Sequence, residues 1–349
     1  MVFFYRYIYY CLLRLWSSIM KPILKLIIKL TALKPILKLI SARILAFILK
    51  HKKPLAVSAG IFIALAIGAL VFNSRPPVLV VTDVLFIELY GKERIRRQQF
   101  ASSFALFRNV KPVITADGAS PDIIVAAISG AARRPYCVLF PGYLASAAEL
   151  YHREFPEIPA ALLGGFSASY DLPKPDGVLC IYSTDINTDM YRAGLFAGAI
   201  GLKKSSEEAK RTCFLLQDFY IQTAERDVFS RGLREIDSGA VARFANSASD
   251  IPALEGISCV VLTRSGSDYL DKNAKIPLIL FTWLDPFMLP PETAAAFDDS
   301  TWALVVQAAR MAAGGQAEGK ISSKPLVFSR GTADNGIDRI LRQLAKKTP

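Results

Sequence analysis

No Asp or Glu occurs in this chain before Asp83, although eleven Lys and Arg lie between Arg6 and Lys53. The formal charge of +12 is therefore almost wholly a property of the first 53 residues, and the rest of the chain is near neutral. Histidine is equally scarce, with His51 and His152 the two in 349 residues. His152 sits beside Arg153 and Glu154 in a predicted helix and reads as a surface residue. No His-Glu-x-x-His, Walker loop, Gly-x-Ser-x-Gly or dinucleotide fingerprint is present. The common zinc, nucleotide and serine-nucleophile chemistries thus lack their residues. No catalytic constellation, metal site or cofactor is expected. Five Cys form no Cys-x-x-Cys, and Cys137, Cys180, Cys213 and Cys259 each lie in an apolar run. Buried strand thiols are expected there rather than disulfides, whose pairing the spacing does not define.

What the chain does have is an uncharged run from Pro54 to Asn73. A helix rises ~1.5 Å per residue, so this run reaches across the ~30 Å hydrocarbon layer of a bilayer. Lys50, His51, Lys52 and Lys53 abut its start and Arg75 follows its end. The positive-inside bias puts the amino-terminal side in the cytoplasm and residues 77–349 across the membrane. Val71-Phe72-Asn73-Ser74 lacks a small-x-small cleavage signature, and no Cys follows to carry a lipid. An uncleaved anchor in a bacterial cytoplasmic membrane is expected.

Ahead of the anchor, Lys21-Pro-Ile-Leu-Lys-Leu-Ile recurs at Lys34. Lys21, Lys25 and Lys29 drift slowly around a helix whose other surface is Leu and Ile. Such a helix lies in the headgroup layer with its Lys stems reaching up to phosphates. Residues 20–53 are therefore expected on the anionic inner leaflet, each basic residue contributing on the order of 1 kcal/mol. The segment is too apolar for a solvated nucleic-acid arm, so no nucleic-acid partner is expected. Met20 directly precedes the repeat and leaves residues 1–19 open as a stretch outside the translated chain.

From Pro77 onward, short apolar runs alternate with amphipathic helices. Strands are expected at 78–82, 112–115, 122–127, 136–140, 160–163, 177–182, 212–216, 241–244, 258–263 and 277–281. Helices are expected at 94–109, 144–155, 190–203, 225–236 and 300–313. This pattern reads as βαβ units with mostly parallel sheets. So many strands fit two smaller sheets better than one, giving an α/β protein of two doubly wound lobes. The expected division is a basic segment 1–53, a transmembrane helix 54–73 and a bilobal domain 77–349. The first lobe takes in about 77–182 plus 300–349, and the second about 186–285.

Residues 136–201 are more specific. Tyr136-Cys-Val-Leu-Phe-Pro-Gly142-Tyr143-Leu144 leads into a helix and then Glu154-Phe155-Pro156-Glu157-Ile158-Pro159. Gly177-Val-Leu-Cys-Ile-Tyr182 is followed by Met190-Tyr191-Arg-Ala193-Gly194-Leu-Phe-Ala197-Gly198. This order resembles the basic membrane lipoprotein family of substrate-binding proteins. The resemblance implies a type I periplasmic-binding-protein fold, a hinge of three crossings and a small solute, nucleoside-like in that family, delivered to an ABC importer. The chain departs from the family where an Asp usually follows the strand matched here by 160–163, having Gly164-Gly165. It also departs near the last helix, where Ser300-Thr301-Trp302 replaces a usual Lys. Each loss removes a charge-assisted hydrogen bond. An alternative therefore stands beside solute binding for an importer or sensor: an envelope scaffold that keeps the fold without the ligand.

In open α/β sheets the ligand lies beyond the carboxyl ends of the strands. The candidate ligand residues are accordingly Asp83, Tyr143, Gly164, Tyr182, Asp218, Phe219, Trp283 and Asp285, with Gly165 and Arg264 beside them. Aromatic faces and carboxylates are the usual mix in a small-molecule cleft. Asp298-Asp299 and the pair Asp185 and Asp189 read as helix-start residues. The stripe of Ala193, Gly194, Ala197 and Gly198 predicts a close helix contact.

Overall fold

The computed structural model describes residues 72–164, 172–204, 212–216, 223–245, 257–263, 276–329 and 335–347. The chain divides into two units, Met1–Ser74 and Arg75–Pro349. Among the described residues no helix is long and apolar enough to cross a membrane. The run 54–73 lies outside them except for Phe72 and Asn73, and the basic segment lies wholly outside.

The second unit begins β1 (Val78–Asp83), α1 (Val84–Tyr90), α2 (Lys92–Leu106), β2 (Val110–Thr115), α3 (Pro121–Ala131) and β3 (Cys137–Pro141). A 3-10 turn over Gly142–Leu144 leads to α4 (Ala145–Glu154), β4 (Ala160–Gly164) and β5 (Leu179–Thr184). Then come α5 (Ile186–Lys204), β6 (Thr212–Leu216), α6 (Thr223–Ile236), β7 (Ala242–Ala245), β8 (Ile257–Leu262), β9 (Leu278–Phe281) and β10 (Thr293–Asp298). The chain ends with α7 (Thr301–Ala313), β11 (Glu318–Ile321), β12 (Lys324–Val327) and α8 (Asn335–Lys347).

The strands form two six-stranded sheets, ordered β11-β5-β4-β3-β1-β2 and β12-β10-β9-β8-β6-β7. All pairings are parallel except β10 with β12. Side chains alternate across a strand, and both faces of the first sheet are covered. Val78, Val80, Cys137, Leu139 and Cys180 pack with α7 on one face. Leu79, Val81, Val138 and Phe140 pack with α3 and α4 on the other. This explains why the strands read as unbroken apolar runs. The four strand cysteines are buried and free, and burial pushes the Cys137 thiol up to about 12.

The small-residue stripe does what its spacing predicts. A Cβ at Gly198 would fall 2.8 Å from the carbonyl of Leu233, and one at Gly194 would clash with that of Phe229. Gly232 answers from α6 against Tyr191. Helices α5 and α6 are thus pressed together backbone to backbone.

Three expectations need correcting. Residues 122–127 belong to α3, with Ser120 at its N-cap and Pro121 in its first turn, where proline's fixed φ suits a helix start. Residues 84–90 form a helix that the strand-and-helix reading passes over. Residues 324–347 join the second sheet and not the first: β12 pairs with β10, and Ile337 and Leu341 of α8 enter the second core.

Candidate functional site

At the carboxyl end of β1, Asp83 caps α1 by accepting a hydrogen bond from Phe86 N (2.6 Å). Its other oxygen accepts the Tyr143 hydroxyl at 2.5 Å. Tyr143 is 46% exposed, and its hydroxyl is raised above the usual phenol range by burial and then by the bond to Asp83. Gly142 sets the ring's position. A Cβ there would fall 2.9 Å from the carbonyl of Leu163, so the turn after β3 can pass the end of β4 only as glycine. Asp117, beyond β2, accepts from Leu85 N at 2.8 Å. Asp83, Tyr143 and Asp117 therefore gather at the strand ends around the start of α1.

The other candidates fare differently. Gly164 ends β4, where an added Cβ would meet little. Tyr182 does not face the strand ends. It is 1% exposed, packs in the first core, and donates to the Gln316 carbonyl at 2.8 Å. Asp218, Phe219, Gly165 and Arg264 lie outside the described residues.

Trp283 and Asp285 follow β9 and are both turned toward the first lobe. Trp283 packs on Phe86 of α1 with ring centroids 5.0 Å apart. The Asp285 amide donates to Leu89 O at 2.8 Å, and its carboxylate caps the next turn through Phe287 N. Gly91 (φ +95°) lies against that carboxylate, a backbone conformation and a space open only to glycine. Arg94 of α2 donates to the carbonyls of Trp283 (3.1 Å) and Leu284 (2.9 Å) and to Asp298 (2.5 Å). The Tyr90 hydroxyl also donates to Asp298, and the Arg94 guanidinium lies over the Tyr90 ring.

Asp298 does not serve a helix start as expected: it ends β10 fully buried and holds Arg94. Burial draws its carboxyl upward, while Arg94 and the Ser300 hydrogen bonds oppose that. Ser300 is the residue that caps α7, accepting from Ala303 N. Ser300, Thr301 and Trp302 are all buried.

The chain crosses between the sheets three times, after β5, after β10 and after β11, and the crossings are tied to one another. Asp185 N donates to Ile321 O at 2.9 Å. Thr184 Oγ1 bonds Asp299 at 3.5 Å. Asp189 lies in the first turn of α5 as expected, but it is wholly buried and also accepts from the Ser323 amide (3.0 Å) and hydroxyl (2.5 Å). Burial pushes its carboxyl up to about 7, against the Ser323 bonds and Arg192, which is 3.8 Å away. Asp185 does serve the helix start, accepting from Thr188 N and Oγ1.

Two surface grooves lie elsewhere. One of about 830 Å³ runs between α2 and α7 toward Lys320 and Lys324, and one of about 650 Å³ lies along α6. Neither includes an expected ligand residue.

No protein-family model and no curated protein sequence matches the chain. Among solved structures, the chain is similar to an ABC transporter solute-binding protein from Conexibacter woesei, with a TM-score of 0.50 and 12% identity. The match covers 78% of this chain and 96% of that one. A solute-binding protein from Aeropyrum pernix matches at TM-score 0.42 and 12% identity, over 78% and 91%. A LacI family regulator from Brachyspira murdochii matches at 0.43 and 14%, over 77% and 98%. The first establishes the fold, a type I periplasmic-binding-protein-like arrangement of two parallel-dominated sheets.

Proposed function

We propose that this chain is a membrane-anchored binding protein of the bacterial cytoplasmic membrane, with its bilobal body on the far side. A small polar solute is taken between the lobes for an ABC importer or a sensor, with no chemistry performed on it. The exposed Asp83–Tyr143 pair carries the reading. It stands where open α/β sheets receive ligands, and it joins a carboxylate, which orients hydroxyls or amines, to an aromatic face. The run 54–73 supplies the anchor, and the fold shared with a transporter's solute-binding protein supports the importer. Nucleoside-like solutes and sugars are the first classes to try. A ligand that binds only the folded state raises its melting temperature by mass action. Residues 75–349, a compact unit of their own, should therefore melt higher with the right solute, and Asp83→Asn should reduce the shift at the same solute concentration. If no nucleoside, sugar or amino acid moves the midpoint, solute binding falls.

A second reading draws on the engagement of Trp283 and Asp285 with α1. Residues committed to holding the lobes together suit an envelope scaffold that has given up its ligand. Failure of every solute, with a partner protein retained on the intact chain, would favour it.

A further inference from the structure

One helix face has no role in either reading. Phe100 and Phe104 of α2 are 77% and 80% exposed, and Phe107, which ends the helix, is 45% exposed. Their spacing puts them on one stripe, with Arg97 one turn before Phe100 and Arg108 directly after Phe107. Phe107 holds a left-handed backbone (φ 49°), a conformation that disfavours bulky side chains. The fold accepts that strain and still leaves the ring at the surface. No acidic residue occurs between Arg94 and Ala116.

The stripe ends where the chain enters the domain. The Arg75 guanidinium lies 4.8 Å from the Phe107 ring centroid, and Arg108 donates to Pro76 O at 3.3 Å and stacks on Tyr136. Residues 74–77 separate the apolar run from β1, and at ~3.3–3.6 Å per residue they reach no more than about 18 Å.

We propose that the Phe100–Phe104–Phe107 stripe, flanked by Arg75, Arg97 and Arg108, seats the domain on the surface of an anionic bilayer. The rings enter the boundary between headgroups and acyl chains while the guanidinium groups meet phosphates. The proposal rests on the reading of 54–73 as an anchor. A lipid surface fits the stripe better than a second copy of the chain, because basic side chains on both copies would face each other.

The test uses the full chain in vesicles of phosphatidylcholine and phosphatidylglycerol containing brominated acyl chains, which quench tryptophan only on contact. Once the signal of the parent's own Trp16, Trp283 and Trp302 is subtracted, the emission added by Phe104→Trp should be quenched about twofold more than that added by Phe287→Trp, a control 91% exposed in the second lobe, because only the first reaches the interface. Arg97→Gln with Arg108→Gln should reduce that quenching, and so should omitting phosphatidylglycerol. Equal, water-like emission from the two tryptophan variants overturns the proposal. Blue-shifted but unquenched Phe104→Trp emission that grows with protein concentration also overturns it and assigns the stripe to a second copy. An alkaline wash of the same vesicles tests the anchor separately, since release of the chain would sink that reading whatever the quenching shows.

Discussion

Asp83 and Tyr143 on the first sheet and Trp283 and Asp285 on the second all follow strand ends, yet the two pairs are employed differently. The first pair bonds within its own lobe and leaves Tyr143 half exposed. The second is spent on the other lobe, through Phe86, Leu89 and Arg94. Equivalent positions in a repeated βαβ architecture thus divide the work: the first-sheet residues bond within their own lobe, and the second-sheet residues hold one lobe to the other. Helix α1 makes the division, with its start capped by Asp83 and its end resting on the loop after β9.

The sharpest way to break this comparison is at Asp298. Replacing it with Ala leaves the Arg94 guanidinium buried without its carboxylate, and losing one partner of a buried pair costs about 3–5 kcal/mol. Denaturant unfolding of Asp298→Ala should show that loss. Arg94→Met combined with Asp298→Leu should recover most of it, because apolar residues of similar volume do not carry the desolvation cost of the charges. If the single variant is as stable as the parent, the lobes are not held here.

A smaller effect is expected from the crossings. The Asp189 carboxyl titrates at about 7 in the fold and at about 3.9 in an unfolded chain. Below about pH 4 both states hold the proton and burial carries no penalty. As pH rises from about 4 to about 7 the unfolded chain ionises freely while the folded one keeps its proton, so stability falls across that window and levels off above it. Each pH unit between the two titrations corresponds to about 1.4 kcal/mol, so the loss is at most a few kcal/mol. Asp189→Asn should flatten the parent's stability-against-pH curve between about pH 4 and 7, measured by urea titration at each pH. An unchanged slope would remove Asp189 as its source.

How much of this picture is legible in the sequence differs by region. The buried parallel strands are readable because both faces are covered, so each is a plain apolar run such as Cys137–Phe140. The α5–α6 contact is readable because close backbones require the small residues at 194 and 198. The alternation of apolar runs and amphipathic helices also points correctly to two α/β lobes. Helix α3 reads as a strand because Ile123-Ile124-Val125 is β-branched, although Ser120-Pro121 signals a helix start. Helix α1 escapes the periodicity although its own signals are present, Asp83 as cap and Gly91 as stop. Without it the contact between lobes is invisible, and with it the engagement of Trp283 and Asp285. The role of Asp298 is beyond local reading, since its partners Tyr90 and Arg94 lie some two hundred residues away. Tyr182 reads as a strand-end residue but belongs to β5 itself, and its alternation turns it into the core.

The smallest stability effect should come from the first pair, and it bears most on the proposed solute binding. Tyr143→Phe keeps the ring and removes one hydroxyl from a half-exposed hydrogen bond, so the expected loss of stability is below about 1 kcal/mol. Asp83→Asn should cost as little, because Asn caps helices about as well as Asp and the bond from Phe86 N can persist. A scaffold would notice neither change. A solute held by this pair would lose a charge-assisted bond in Asp83→Asn and an orienting hydroxyl in Tyr143→Phe, with affinity falling about tenfold or more in the first. Measured side by side with Trp283→Ala, which should weaken the lobe contact at Phe86, these variants separate the two uses of the strand ends. Loss of ligand affinity confined to Asp83 and Tyr143 would uphold the division. Equal losses from all three would mean that closure and recognition are one event, and that the second-sheet residues belong to the ligand site after all.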